Sequence, residues 1–230
     1  MKRILSLLLL VALCLCATAC SGVMSYDEYV KAPLESEVTI ETYVQAHQSW
    51  WQDKVTVYTQ DKNGGYFLYE LQCSEEDAAK LVPGQKIRVT GKKTAYAGEV
   101  EILGGTFEFI DGDTYIADAK DLTAKLGTDE LYDYLNQKAI FKNLTVVSID
   151  YQNGARGSDI YVKVSNGTAE FSFCVESYLT SPTSETYLAV EALAEGDKVD
   201  IEGFVYYWSS DDTIDASDVN VHITAVSEKI

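Results

Sequence analysis

Aromatic rings set among short polar residues are the features of this chain best suited to chemistry, and that chemistry is stacking. Trp50 and Trp51 follow Gln45, His47 and Gln48, and Tyr206, Tyr207 and Trp208 form a second ring-rich run. Tyr96 stands between Ala95 and Ala97, which leaves its ring prominent. A flat ring face takes up bases, and by extension sugars, without needing positive charge. Side chains alternate along a strand, so Tyr206 and Trp208 share one face and Tyr207 takes the other. The expected ligand-binding residues are Trp50, Trp51, Tyr96, Tyr207 and Trp208, with one of the paired tryptophans in a core and the other exposed.

Asp211, Asp212, Asp215 and Asp218 crowd into one loop. Calcium takes several carboxylate and carbonyl oxygens, but the spacing lacks the Asp-x-Asp-x-Asp-Gly pattern of an EF-hand loop. These are weak metal candidates, a solvated acidic loop explains them as well, and no cofactor is expected. Lys86, Arg88, Lys92 and Lys93 could receive an anionic group, although a solvated barrel face beside acids is the plainer reading. Cys73 and Cys174 lie in or beside apolar strand-like runs and read as buried structural thiols. His47 and His222 are the only histidines after the signal region. The chain has no His-x-x-x-His, Cys-x-x-Cys, Gly-x-Ser-x-Gly or phosphate-loop pattern. No catalytic residue is expected, and the protein reads as a non-enzyme.

The first twenty residues suggest an address. Met1-Lys2-Arg3 precedes an apolar run from Ile4 to Cys16, and Ala17-Thr18-Ala19 leads to Cys20. A basic start, an apolar run and small residues make a secretory signal. The run is shorter than the roughly 17 to 25 residues of a membrane span. Ala17-Thr18-Ala19-Cys20 looks like a lipobox, with alanine where leucine is usual. The expectation is a lipid-anchored, extracytoplasmic protein held to the cell membrane through Cys20.

Cleavage before Cys20 would remove Lys2 and Arg3 and leave 16 basic against 36 acidic residues, a net charge of −20. Such a field repels a phosphate backbone, whose neutralisation by Lys and Arg dominates nucleic-acid affinity. Nucleic acid is therefore an unlikely partner on charge alone, whereas cations and basic partners are attracted.

The elements that must position these residues occur twice. Leu81-Val82-Pro83-Gly84-Gln85-Lys86-Ile87-Arg88-Val89-Thr90-Gly91 is repeated as Leu193-Ala194-Glu195-Gly196-Asp197-Lys198-Val199-Asp200-Ile201-Glu202-Gly203, and Asn63-Gly64 recurs as Asn166-Gly167. Each copy predicts a short helix, 26–32 or 129–136, with Ser25-x-x-Glu28 as a capping box for the first. An alternating strand follows, 38–44 or 140–149. Two strands joined by a turn with Asn-Gly come next, 54–59 with 66–72 and 159–164 with 170–175. A helix, 75–81 or 185–193, and two last strands, 86–94 with 98–102 and 198–208 with 219–226, complete each copy. Three strands, a helix and two strands is the order of the five-stranded Greek-key OB barrel. The predicted organisation is a signal peptide at 1–19, a tether at 20–24, one barrel at 25–110, a linker at 111–128 and a second barrel at 129–230.

Ser49-Trp50-Trp51, the run from Thr56 to Tyr69, Cys73-Ser74-Glu75-Glu76-Asp77 and Val82 to Gly91 carry a resemblance. The chain resembles uncharacterised tandem OB-fold lipoproteins of Gram-positive, clostridia-like bacteria. That resemblance implies a fold, mainly β with two tandem barrels, and an address, but no reaction. The functional expectation is a membrane-anchored extracytoplasmic binding module for a glycan, peptide or small ligand. The alternative is a structural or adaptor lipoprotein of the cell envelope acting through protein–protein contacts.

Overall fold

A computed structural model describes residues 22–210 and 214–229. Alternating apolar side chains make the first barrel. In β1 (Glu37–His47), Val38, Ile40, Thr42 and Val44 point inward, and the residues between them are only partly covered. β2 (Lys54–Gln60), β3 (Gly65–Gln72), β4 (Lys86–Tyr96) and β5 (Glu99–Phe109) complete a closed sheet in the order β1-β2-β3-β5-β4, with β4 returning to β1. The β3–β5 pair is parallel and the others are antiparallel. Closure removes the exposed edges that an open sheet would present.

The second barrel repeats the same circuit. β6 (Lys120–Asp121) lies parallel to β7 (Lys138–Tyr151). β8 (Ile160–Ser165), β9 (Glu170–Val175), β10 (Lys198–Phe204) and β11 (His222–Val226) run β7-β8-β9-β11-β10, and β10 pairs back onto β7. The parallel step recurs where His222 on β11 faces Cys174 on β9. Each unit is therefore an OB barrel.

Short helices plug the same positions in each copy. α1 (Tyr26–Lys31) starts at the Ser25–Glu28 capping box. Lys93 is buried beneath the end of this helix, where its ammonium donates to the carbonyls of Tyr29, Val30 and Ala32 at 2.8 to 2.9 Å. α2 (Glu75–Ala78) and α3 (Glu185–Glu191) begin at Ser74 and Ser184, whose hydroxyls accept a backbone N–H of the first turn.

Several boundaries differ from the sequence reading. The helix expected over 129–136 is a 3-10 helix, Asp129–Tyr134; Thr128 makes no side-chain cap, and i to i+3 bonding closes the turn. α2 stops at Ala78, close before Pro83, which disfavours helix at the residue preceding it. β10 ends at Phe204 rather than Trp208; beyond it pairing among the described residues thins to a single bridge, Tyr207 to Val219, with Asn220 N–H donating to the Tyr206 carbonyl at 2.7 Å.

The two barrels share a seam. Tyr58 and Phe67 of the first pack against Phe204 of the second, with Tyr58 stacked on Phe204 at 4.6 Å. Backbone and amide bonds cross the same boundary: Gln60 accepts from the Lys138 N–H at 2.8 Å, Asn136 donates to the Val100 carbonyl at 3.1 Å, and Ser209 N–H donates to the Ala97 carbonyl at 2.7 Å. Gln45 pins the connection by donating to the Tyr115 carbonyl and accepting from Ala117 N–H. Among the described residues no helix is long and apolar enough to cross a membrane.

Candidate functional site between the barrels

The seam opens into a cleft of about 870 Å³. Its floor is a ladder of rings that crosses from one barrel to the other. Tyr69 stacks on Phe67 at 6.2 Å, Phe67 meets Tyr206 edge-on at 5.4 Å, and Tyr206 lies flat on His222 at 4.1 Å. Strand alternation explains the set: Phe67 on β3 points away from its own barrel core and is buried only because the second barrel covers it. The exposed rings of Tyr96 and Trp208 also line the cleft.

Four carboxyl groups stand around the rings: Glu101 from the first barrel, and Asp159, Glu176 and Asp218 from the second. No lysine or arginine lines the cleft among the described residues. Elsewhere acids are commonly answered: Glu41 binds Lys86 and Arg88 at 2.6 and 2.7 Å, Glu108 binds Arg88 at 2.6 Å, and Glu35 binds Lys92. In the cleft the partners are neutral. Glu101 accepts from the Thr94 hydroxyl at 3.3 Å, Asp159 accepts from Ser177 N–H and hydroxyl at 2.9 and 2.7 Å, and Asp218 accepts from Asp215 N–H at 2.9 Å.

Glu176 is the pivot of this site. One oxygen accepts from the Gln48 amide of the first barrel, and the other is 3.6 Å from His222 Nε2. The opposite nitrogen of His222, Nδ1, is 2.6 Å from the Tyr58 hydroxyl. Burial, reinforced by the neighbouring Asp159 charge, pushes the Glu176 carboxyl up to about 7. The same burial lowers His222 to about 3, against the opposing pull of Asp159. Burial thus favours the uncharged form of both groups, a protonated carboxyl beside a neutral imidazole. Burial also raises Glu101 and the enclosed Glu99, whose Oε1 has no partner among the described residues.

A nucleophile with an activating base is not assembled here. Burial first, and then nearby Glu176 and Asp159, raise the Cys174 thiol well above its ordinary range, so it is not a thiolate at neutral pH. Cys73 is pushed up to about 11 by burial. Both cysteines are buried and unbridged.

The residues singled out from the sequence are scattered. Trp50 packs against the first core and donates its indole N–H to the Cys73 carbonyl at 2.7 Å. Trp51 is 68% exposed at a tight turn through Gln52 and Asp53, both at positive φ, and does not line the cleft. Tyr207 corrects the expectation of a ligand contact: it is 1% exposed, set in the second core edge-on to Tyr132 at 5.1 Å, because alternation turns it away from Tyr206 and Trp208. Asp215 accepts from the backbone and hydroxyl of Ser217. With Asp218 it caps its own turn, while Asp211, Asp212 and Cys20 lie outside the described residues. Lys86, Arg88 and Lys92 are paired with acids and Lys93 is a helix cap, so the basic group is not an open anion site.

Sequence reading missed Glu101, Asp159, Glu176 and His222. A signal was available at His222, the one ionisable residue of the apolar strand His-Ile-Thr-Ala-Val, where an unpaired charge is costly.

No protein-family model and no curated protein matches the chain. Among solved structures it is similar to a murine DNA-binding protein bound with double-stranded DNA. The identity is 12%, 82% of this chain and 94% of that one are covered, and the TM-score is 0.40. It is also similar to the HINa domain of Ifi202 in complex with a 20-base-pair double-stranded DNA, at 9% identity, with 84% and 96% covered and a TM-score of 0.37. A tetrameric p202 HIN2 domain is 8% identical, with 86% and 96% covered and a TM-score of 0.36.

These findings correct two expectations. Chains of similar arrangement include ones solved on duplex DNA, which stands against the expected glycan or peptide ligand and against calling nucleic acid an unlikely partner. At these identities and TM-scores no ligand carries over to this chain.

Proposed function

We propose that this protein is a non-catalytic cation receptor that takes a positively charged organic group into the cleft between its barrels. One observation supports this most directly: four carboxyl groups surround an aromatic floor, and no Lys or Arg lies among the cleft's described residues. A cation over a ring gains about 0.5 to 2 kcal/mol, more as water is excluded, and carboxylates add Coulomb attraction. The site differs from the Trp50–Trp51 loop anticipated above, and so does the chemistry.

Calorimetry on the full chain with tetramethylammonium, butylammonium and spermidine, beside a 20-base-pair DNA duplex, tests the reading. Saturable cation binding, weakened about tenfold by Trp208→Ala, is expected. Saturable duplex binding without cation binding would overturn it in favour of a nucleic-acid protein.

The address belongs to the same proposal. Lipid on Cys20, with several acyl chains at about 0.8 kcal/mol per buried methylene, would hold the receptor at the outer face of the cell membrane. Cys20→Ala should then shift the protein out of the membrane fraction or leave it unprocessed, and normal maturation with continued membrane binding would refute the tether.

A further inference from the structure

Resting on the cation reading, we infer that the cleft is built for a linear polyamine, one ammonium held at Glu101 of the first barrel and another at the Glu176–Asp159 pair of the second. A single ammonium would leave most of the cleft's carboxyl groups without a counter-charge, whereas two or three on one chain can answer acids on both walls. The cleft volume of about 870 Å³ also far exceeds one ammonium and lies within the range of sites that enclose whole organic molecules.

The rings lie between the two acidic walls. The ladder from Tyr69 through Phe67 on the first barrel to Tyr206 on the second crosses the cleft that Glu101, Asp159 and Glu176 also line, an apolar track on which methylene segments can lie.

Glu176 also makes the second ammonium site sensitive to protons. The groups packed about it are Gln48 and Tyr58 from the first barrel and Asp159, Cys174, Tyr206 and His222 from the second. None brings a positive charge at neutral pH, since His222 is held neutral. With Glu176 pushed up to about 7, the carboxyl is mostly protonated at pH 6 and mostly ionised at pH 8. A bound ammonium favours the ionised form, so binding near neutrality releases a proton to solvent.

Calorimetry on the full chain with spermidine, 1,4-diaminobutane and butylammonium, at pH 6 and pH 8, decides the matter. Spermidine should bind at least tenfold tighter than butylammonium at pH 8, with that preference shrinking at pH 6. Glu101→Gln and Glu176→Gln should each reduce the preference to about threefold or less. Both glutamines replace carboxyls that burial already favours in the neutral form, so the variants are expected to fold, and Glu101→Gln alone tests the pairing if Glu176→Gln melts early. Glu195→Gln, an exposed residue outside the cleft, controls for general charge and should change nothing. Equal affinity for spermidine and butylammonium would overturn the polyamine inference and leave the cation reading standing. Spermidine binding untouched by either cleft variant would also overturn it. Failure of every cation to bind the folded protein would remove the cation reading itself.

Discussion

The outer face of the first barrel and the cleft beside it hold the same kinds of acid in opposite circumstances. On the outer face Glu41, Glu108 and Glu35 each meet a lysine or arginine, whereas Glu101, Asp159, Glu176 and Asp218 in the cleft meet hydroxyls, amides and rings. Both regions are built from strands of the same barrel pair. The chain has 18 basic against 36 acidic residues, so cations are the limiting partner and their placement decides which acids stay unanswered. Paired acids on an exposed face contribute little to stability, commonly 0 to about 1 kcal/mol each. Unanswered acids at a buried seam cost stability, which a protein retains where the site has a use.

The comparison breaks most severely if the seam goes. Phe204→Ala removes the ring stacked on Tyr58 and should cost about 3 to 5 kcal/mol in denaturant unfolding, with loss of cation binding. A cost below about 1 kcal/mol would show that the barrels do not depend on this contact.

Glu176 sharpens the contrast through pH. The folded carboxyl holds its proton to about 7, while the unfolded one releases it near the ordinary 4.5, so wild-type stability declines as pH rises through that window. Glutamine has no such proton. The stability of Glu176→Gln relative to wild type should therefore climb by about 1.4 kcal/mol per pH unit between those values, about 3 kcal/mol in all. A difference that stays flat with pH would mean the carboxyl ionises freely. His222 acts with the opposite sign: lowered to about 3, it costs stability as pH falls below the ordinary 6.5.

On the outer face the same kind of change should be mild. Arg88→Gln leaves Lys86 on Glu41 and should move the denaturant midpoint only slightly, an effect that fades in high salt. A larger, salt-independent loss would place Arg88 in a structural network instead. The smallest effect is expected at Trp51, whose exposed ring touches neither region: Trp51→Ala should change the melting free energy by no more than about 0.5 kcal/mol and leave spermidine affinity unchanged. Loss of affinity in that variant would move the site back to the turn where the sequence first suggested it.

The sequence by itself determined the barrels. Alternation in Val38-Thr39-Ile40-Glu41-Thr42-Tyr43-Val44, the paired turns at Asn63-Gly64 and Asn166-Gly167, and the repeated segment ending at Gly91 and Gly203 are local signals, because one face of each strand must be apolar and each turn needs residues that tolerate it. Alternation even separated Tyr206 and Trp208 from Tyr207. Only the tertiary structure decided which rings face a ligand and which face a core: Phe67 and Tyr206 point out of their own barrels, and whether such a side chain is surface or buried depends on the second barrel lying against it. The same holds for charge. Glu41 and Glu101 are alike in sequence, each an acid in an apolar strand, yet one lies beside Lys86 and Arg88 across β4 and the other beside Thr94 and a partner barrel. Their difference comes from neighbours distant in the chain, which no local pattern records.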